Sequence, residues 1–217
     1  MSVQIKICGL SEEKTLQAAL SAGADFIGFV HYPKSPRHVS IARAFELKKL
    51  LPKTIKSVLV VVNPSDDLLS EISQKLQPDF VQLHGDETLE RVKEIDSRLR
   101  GNDKPIGIIK AISVCNAEDI KQAEKFAIVA DYLLFDAKPM DKNMLHGGNG
   151  IAFDWELLAE YKGAKNWFLS GGLNVANVRE AIQKTGAKMV DVSSGVEREA
   201  GVKDISLIEN FIKMVRE

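Results

Sequence analysis

The stretches AGADFIGFVH (residues 22–31) and TGAKMVDVS (residues 185–193) repeat one pattern, a glycine followed by alanine, a charged residue and a short apolar run. Glycine just past a helical segment ends the helix, because it takes up a left-handed backbone without a Cβ clash. A run rich in β-branched or aromatic residues directly afterwards reads as a strand. Both stretches are therefore read as the same helix–turn–strand unit, placed near opposite ends of the chain.

Working outward, eight strand-like runs appear: Val3–Cys8, Phe26–His31, Ser57–Asn63, Phe80–His84, Ile106–Ile112, Tyr132–Asp136, Trp167–Ser170 and Met189–Ser193. Between them, apolar residues recur at helical spacing, as at Leu16, Ala19 and Leu20, or Leu68, Leu69, Ile72 and Leu76. Ser11, Ser65, Asn116 and Asn174 are the expected helix starts. Strands that alternate with helices indicate βαβ units and a parallel sheet. Eight such units in 217 residues, with no linker, predict an α/β fold, a single (β/α)8 TIM barrel over residues 1–217. An open doubly wound sheet is disfavoured, because Cys8-Gly9-Leu10-Ser11 is not the GxGxxG that usually follows its first strand.

Bulk properties narrow the class. The 29 basic and 30 acidic residues leave a net charge of −1, which argues against nucleic acid or an anionic membrane as partner. Two distant cysteines, Cys8 and Cys115, predict neither a disulfide framework nor a thiolate zinc site. The opening MSVQIKICGL lacks the apolar core of a signal peptide. The longest strongly apolar stretch, Val58–Val62, is far short of a membrane span. The expectation is a cytoplasmic protein, monomer or homodimer, acting on a small molecule.

Strand alternation then locates polar side chains. With Ile5, Ile7, Val81, Leu83, Leu133, Phe135, Val190 and Val192 facing the helices, Lys6, Cys8, Gln82, His84, Asp136, Asp191 and Ser193 face inward. All lie towards the C-terminal ends of their strands, where barrel active sites are built. Burying this set as mere core would be costly, so a polar pocket is expected. Each residue alone has a plainer explanation: an inert core thiol, a hydrogen-bonded wall histidine, a structural Lys6–carboxylate pair.

After strands seven and eight come Ser170-Gly171-Gly172-Leu173-Asn174 and Ser193-Ser194-Gly195-Val196-Glu197. Glycine allows close backbone approach, and N–H groups at a helix start attract anions. These two loops are the usual phosphate cradle of such barrels, so Gly171, Gly172, Asn174, Ser193, Ser194 and Gly195 are the candidate phosphate ligands. A third glycine-rich stretch, with Gly147, Gly148 and Gly150, is either a lid or a flexible connection.

The segments KICG (6–9), GADFIGFVHYPKSPRHVS (23–40), VQLHGDE (81–87), LLFDAKP (133–139), GGNG (147–150), LSGGLNVANV (169–178) and VDVSSGVE (190–197) closely resemble the phosphoribosylanthranilate isomerase family of tryptophan biosynthesis. The resemblance covers essentially the whole chain, in order. It implies the Amadori rearrangement of N-(5-phosphoribosyl)anthranilate to 1-(2-carboxyphenylamino)-1-deoxyribulose 5-phosphate. It further implies Cys8 as general base, Asp136 as general acid and Arg37 as the partner of the anthranilate carboxylate. Gln82, His84 and Asp191 then contact substrate, with phosphate on the two glycine loops. The substrate's own nitrogen serves as electron sink, so no metal and no organic cofactor is expected.

A thiol acts as base only when ionised, and Lys6, two residues away on the same face, is expected to favour the anion. Asp136 must instead carry a proton, which a water-poor pocket and the neighbouring Asp191 are expected to promote. Lys138 would oppose this if it turned inward. Three rival readings remain. A histidine-pathway isomerase would use paired aspartates, whereas strand one here ends in cysteine. A metal-dependent epimerase would need histidines on several strands, whereas His31, His38 and His146 lie in or near loops. A non-catalytic phosphosugar-binding barrel would need neither Cys8 nor Asp136. With no attached indoleglycerol-phosphate synthase domain, the enzyme is expected to be monofunctional.

Overall fold

The computed structural model describes residues 2–101, 104–137, 155, 158, 161, 163 and 166–217. Gly147, Gly148 and Gly150, the possible lid, lie outside the described residues, as do Lys138 and His146.

Eight parallel strands close on themselves in chain order: β1 (Gln4–Cys8), β2 (Phe26–Val30), β3 (Lys56–Val61), β4 (Phe80–Leu83), β5 (Gly107–Val114), β6 (Tyr132–Ala137), β7 (Trp167–Leu169) and β8 (Met189–Val192). β8 pairs back onto β1, with Lys6 opposite Asp191. The described helices are α1 (Glu13–Ala22), α2 (Ile41–Lys49), α3 (Asp66–Glu71), α4 (Leu89–Arg100), α5 (Ala117–Phe126), α6 (Val178–Thr185) and α7 (Ile205–Arg216). A π-helical turn, Ile72–Leu76, prolongs α3 and ends on Gln77 at φ 47°. Gly23 and Gly186 end α1 and α6 at φ 100° and 66°, as the repeated pattern predicts. Among the described residues no helix is long and apolar enough to cross a membrane.

Both strand faces are buried, which is why the strands read as apolar runs. Outward residues such as Ile5, Ile7, Leu59, Val81, Leu133 and Val190 pack under the helices, all at 0% exposure. Inside, the two ends of the barrel differ. Phe26, Val58, Ile109, Leu134, Phe168 and Met189, with Phe80 and Tyr132 beside them, plug the N-terminal half. The Phe26 and Phe168 rings meet edge to face at 5.1 Å. Above this apolar floor lie the buried polar side chains Lys6, Gln82, Asp136 and Asp191.

A second device repeats at the floor. Asp25, Asp79 and Asp131 each stand just before an even-numbered strand and accept a backbone N–H from the strand before it. The donors are Ile5 at 2.7 Å, Ser57 at 2.9 Å and Ile108 at 2.8 Å. At the fourth such place Lys188 supplies only its carbonyl, to Gln4 at 2.8 Å.

Burial pushes the Asp79 carboxyl up, but the Ser57 hydroxyl and amide, with Lys104 and Lys56, outweigh this and hold it below the usual range. A depressed carboxylate stabilises the fold above its unfolded-state pKa of about 3.9, and that stability is lost as pH falls through the native value. Asp79→Asn is therefore expected to cost about 1–2 kcal/mol at pH 7, read as a lower urea midpoint. The gap between the proteins should narrow at pH 3; a gap that stayed constant would exclude the charged clamp.

Two expected helix starts move. α1 begins after Glu12 rather than Ser11, whose carbonyl is held by the Arg43 guanidinium at 3.2 Å. α6 begins after Asn177 rather than Asn174. Ser65 and Asn116 do cap their helices, the latter in a reciprocal capping box with Asp119. Beyond β8 lies an unanticipated hairpin of β9 (Glu197–Glu199) and β10 (Val202–Lys203).

Candidate active site

The C-terminal mouth holds an open cleft. Cys8, Arg37, Gln82, His84, Asp136, Asp191 and Ser193 all line it, together with Ser170, Tyr32 and Ser35. Several strands end one or two residues earlier than the sequence suggests, so His84, Ser170 and Ser193 sit just past β4, β7 and β8. Among the described residues no three His, Cys, Asp or Glu side chains gather as a metal cage requires.

Cys8 ends β1 at 5% exposure, packed against Val30, Val60 and Tyr32. Its register partner on β2 is Gly28, where an added methyl group would lie 2.8 Å from Sγ. Glycine there is what gives the sulfur room. Lys6 lies below it, wholly buried, its Nζ 2.8 Å from Asp191 Oδ1. The Ser170 hydroxyl donates to the other Asp191 oxygen at 3.1 Å. Asp191 therefore faces the cleft with its charge already matched.

This changes the expected effect of Lys6. Burial pushes the Cys8 thiol above its ordinary range; Lys6 and Lys203 pull it down, and Asp191 pushes it up. Burial wins, because the Lys6 charge is shared with Asp191. The ligand-free site holds a thiol rather than the thiolate that Lys6 alone would favour.

Across the mouth, Asp136 near the end of β6 is 6% exposed and lies 3.2 Å from His84 Nε2 through Oδ2. His84 Nδ1 is 2.9 Å from Gln82 Nε2. With the Gln82 amide donating to Nδ1, the histidine keeps its proton on Nε2 and points it at Asp136. Among the described residues nothing hydrogen-bonds the buried Gln82 Oε1, which is available to a ligand hydroxyl.

Arg37 comes from the loop after β2, its side chain 11% exposed. Nε and Nη2 donate to Glu197 Oε1 and Oε2, both at 2.7 Å. Lys203 Nζ meets the same Glu197 Oε1 at 2.7 Å, the Ser193 carbonyl at 2.8 Å and its hydroxyl at 3.2 Å. Burial pushes the Glu197 carboxyl up, but Arg37 and Lys203 hold it below the usual range. Glu197 and Lys203 were missed as site residues. Glu197 stands 160 positions from Arg37, and no local pattern links them.

The two glycine loops lie side by side. Gly171 and Gly172 take φ 89° and 65°, which a Cβ would strain. A methyl group on Gly195 would collide with the Leu173 carbonyl, so glycine there lets the loops touch. Among the described residues no acceptor meets the N–H groups of Gly172, Ser194 or Gly195. Asn174 differs: its N–H goes to Asn177 Oδ1, and its side chain bonds Gly172 O and Ala176 N within the turn. Its polar groups are committed to shaping the loop.

Known proteins resemble this chain in sequence and in fold. The family model described as N-(5'-phosphoribosyl)anthranilate (PRA) isomerase matches residues 5–214. The N-(5'-phosphoribosyl)anthranilate isomerase of Parvibaculum lavamentivorans is 47% identical over 219 residues, covering 100% of this chain and 99% of that protein. The crystal structure of phosphoribosylanthranilate isomerase from Thermotoga maritima superposes with a TM-score of 0.86 at 37% identity, covering 98% of both chains. A phosphoribosylanthranilate isomerase in complex with reduced 1-(o-carboxyphenylamino)-1-deoxyribulose 5-phosphate gives 0.83 at 35% identity, again over 98% of both. The match extends over nearly the whole chain in sequence and in fold, and the chain belongs to the N-(5'-phosphoribosyl)anthranilate isomerase family.

Proposed function

We propose that this chain carries out the family's isomerisation with Asp136 as acid and Cys8 as base. The observation that supports this best is that a carboxyl from β6 and a thiol from β1 line one cleft with Arg37, beside the two glycine loops. The carboxylate end of N-(5-phosphoribosyl)anthranilate then lies at Arg37 and its phosphate at residues 171–172 and 193–195, with Gln82, His84 and Asp191 around the sugar.

The chemistry uses those residue types in order. Asp136 gives its proton to the furanose oxygen, the C1–O bond breaks, and an iminium forms at the anthranilate nitrogen. The Cys8 thiol, acidified by the iminium charge, releases its proton to solvent; the thiolate then takes the proton from C2, the C–H pair forms the C1=C2 bond and the C=N pair settles on nitrogen, giving an enolamine. Cys8 returns a proton to C1, Asp136 takes the C2 hydroxyl proton to give the ketone, and the thiolate regains its own proton from solvent as product leaves. The cationic nitrogen accepts the electrons, so the reaction itself calls for neither metal nor organic cofactor. Each placed proton-transfer group contributes roughly 10²–10⁴-fold.

The test is the decay of anthranilate-type fluorescence with substrate made in situ from anthranilate and phosphoribosyl pyrophosphate, EDTA being present. Metal-independent decay is expected. A protein inert here but active on the histidine-pathway aminoaldose would overturn the assignment.

A further inference from the structure

The Arg37–Glu197–Lys203 cluster contains more machinery than a carboxylate receptor alone requires. Two basic side chains, Arg37 and Lys203, share one carboxylate, Glu197, at 11%, 2% and 3% side-chain exposure; burial pushes the Lys203 amine below its ordinary range although Glu197 pulls it up. One carboxylate divided between two donors leaves hydrogen-bonding capacity on Arg37 for an incoming anion.

The geometry states where that anion docks. Glu197 occupies the Nε–Nη2 edge of the guanidinium in bidentate fashion. Among the described residues nothing bonds Nη1, so the Nη1–Nη2 edge is the one left for a second carboxylate in the same fork geometry. A long arginine in a loop ordinarily samples many rotamers. Here the surroundings remove that freedom: a methyl group on Gly9 would fall 2.8 Å from Arg37 Cδ, and one on Gly201 would fall 2.5 Å from the Pro36 carbonyl. The Gly201 N–H also reaches Glu197 Oε2 at 3.3 Å.

Lys203 extends the same unit to the second glycine loop. Its ammonium joins Glu197 to the carbonyl and hydroxyl of Ser193, where the second glycine loop starts. The Ser193 hydroxyl in turn donates to the Cys8 carbonyl at 3.2 Å. One short hairpin, β9–β10, thus ties the receptor at Arg37 to the loop at 193–195 and to the end of β1.

We propose that Glu197 and Lys203 are positioning residues that act as a strut between two anion receptors, so that the cleft selects ligands bearing a carboxylate and a phosphate at a set separation. This rests on the proposed function, which puts the carboxylate at Arg37 and the phosphate at the glycine loops. Glu197 chooses the edge of Arg37 that faces the ligand; Lys203 holds the receptor against the phosphate loop. Neither touches the reacting atoms.

Two probes separate this from a merely structural role. One is the reduced product analogue, carrying carboxylate and phosphate. The other is its decarboxylated counterpart, built on aniline. Calorimetric Kd values for the wild type should favour the carboxylated probe by about 10- to 100-fold, the worth of charge-assisted hydrogen bonds. Glu197→Gln should bring that ratio close to one and leave the aniline probe within about threefold of wild type. Glu197→Asp keeps the charge, and hence the fold, but pulls the carboxylate back by one methylene; it should give an intermediate ratio. Arg37→Met should add no further loss to Glu197→Gln, and should remove the preference that Glu197→Asp retains.

If both Glu197 variants weakened the two probes equally, or kept the full ratio, the strut would be overturned while the proposed function stood. If the wild type bound neither probe, or bound both alike, the reading of the site itself would fall, and the strut with it.

Discussion

Cys8→Ser should fold normally and lose roughly 10²–10⁴-fold in kcat, the contribution of one placed proton-transfer group. Serine is nearly the same size and meets the same surroundings: Gly28 behind it and Val30, Val60 and Tyr32 beside it. Lys6 keeps its bond to Asp191, so no buried charge is stranded. The unfolding midpoint should therefore move by only a few degrees, and the reduced product analogue should bind nearly as before. What disappears is the capacity to take a proton from carbon. Because burial holds the thiol above its ordinary range, thiolate in the free protein should appear only as pH rises beyond that range. Alkylation by iodoacetamide in a Cys115→Ser background, which removes the exposed competing thiol, reads this directly. Fast alkylation of Cys8 at pH 7 would show a preformed thiolate and contradict the balance of burial over Lys6. The iminium formed on ring opening adds a positive charge beside the sulfur, and an opposite charge within about 4–6 Å lowers a thiol's pKa. The base is then strongest at the step that uses it.

What the sequence made legible follows from periodicity. A strand buried on both faces reads as an apolar run, and its interruptions at alternate positions (Lys6 and Cys8, Gln82 and His84, Asp191 and Ser193) reveal which face meets the barrel axis. Convergence of those interruptions at one end was enough to mark the cleft. Features carried by contacts distant in sequence left no such trace. The echo between residues 22–25 and 185–188 marks turns and not the aspartate clamp, whose function is a side chain reaching a neighbouring strand's amide. Asp79 and Asp131, which have no glycine–alanine before them, escaped notice. The β9–β10 hairpin has three residues in one strand and two in the other, too few for alternation to show.

Electrostatics was the hardest part to read. Spacing places Lys6 beside Cys8 but says nothing of how deeply either is buried or that Asp191 already claims the ammonium. The same holds for Arg37, whose partner Glu197 was in plain sight within the VDVSSGVE segment without any sign of the pairing. Asparagine before a helical run usually starts the helix, which makes Asn174 the expected cap. In the fold it satisfies Gly172 and Ala176 instead, and the helix waits for Asn177.

Asp136→Asn should lower kcat by a similar 10²–10⁴-fold while leaving affinity for the reduced product analogue within about threefold. Asparagine keeps the shape, and its amide oxygen still accepts from His84 Nε2, where Asp136 Oδ2 now stands at 3.2 Å. It has no acidic proton to give the furanose oxygen. The two catalytic variants should fail at different steps, which a substrate deuterated at ribosyl C2 can separate. In Cys8→Ser the C–H bond is broken by a poorer base, so the residual rate should carry a full isotope effect. In Asp136→Asn ring opening becomes limiting, the C–H step is hidden behind it, and the isotope effect should fall towards one. An undiminished effect in Asp136→Asn would mean that the ring oxygen is protonated by another group. His84 would be the first candidate, since its Nε2 proton already points into the same part of the cleft and Gln82 holds it there.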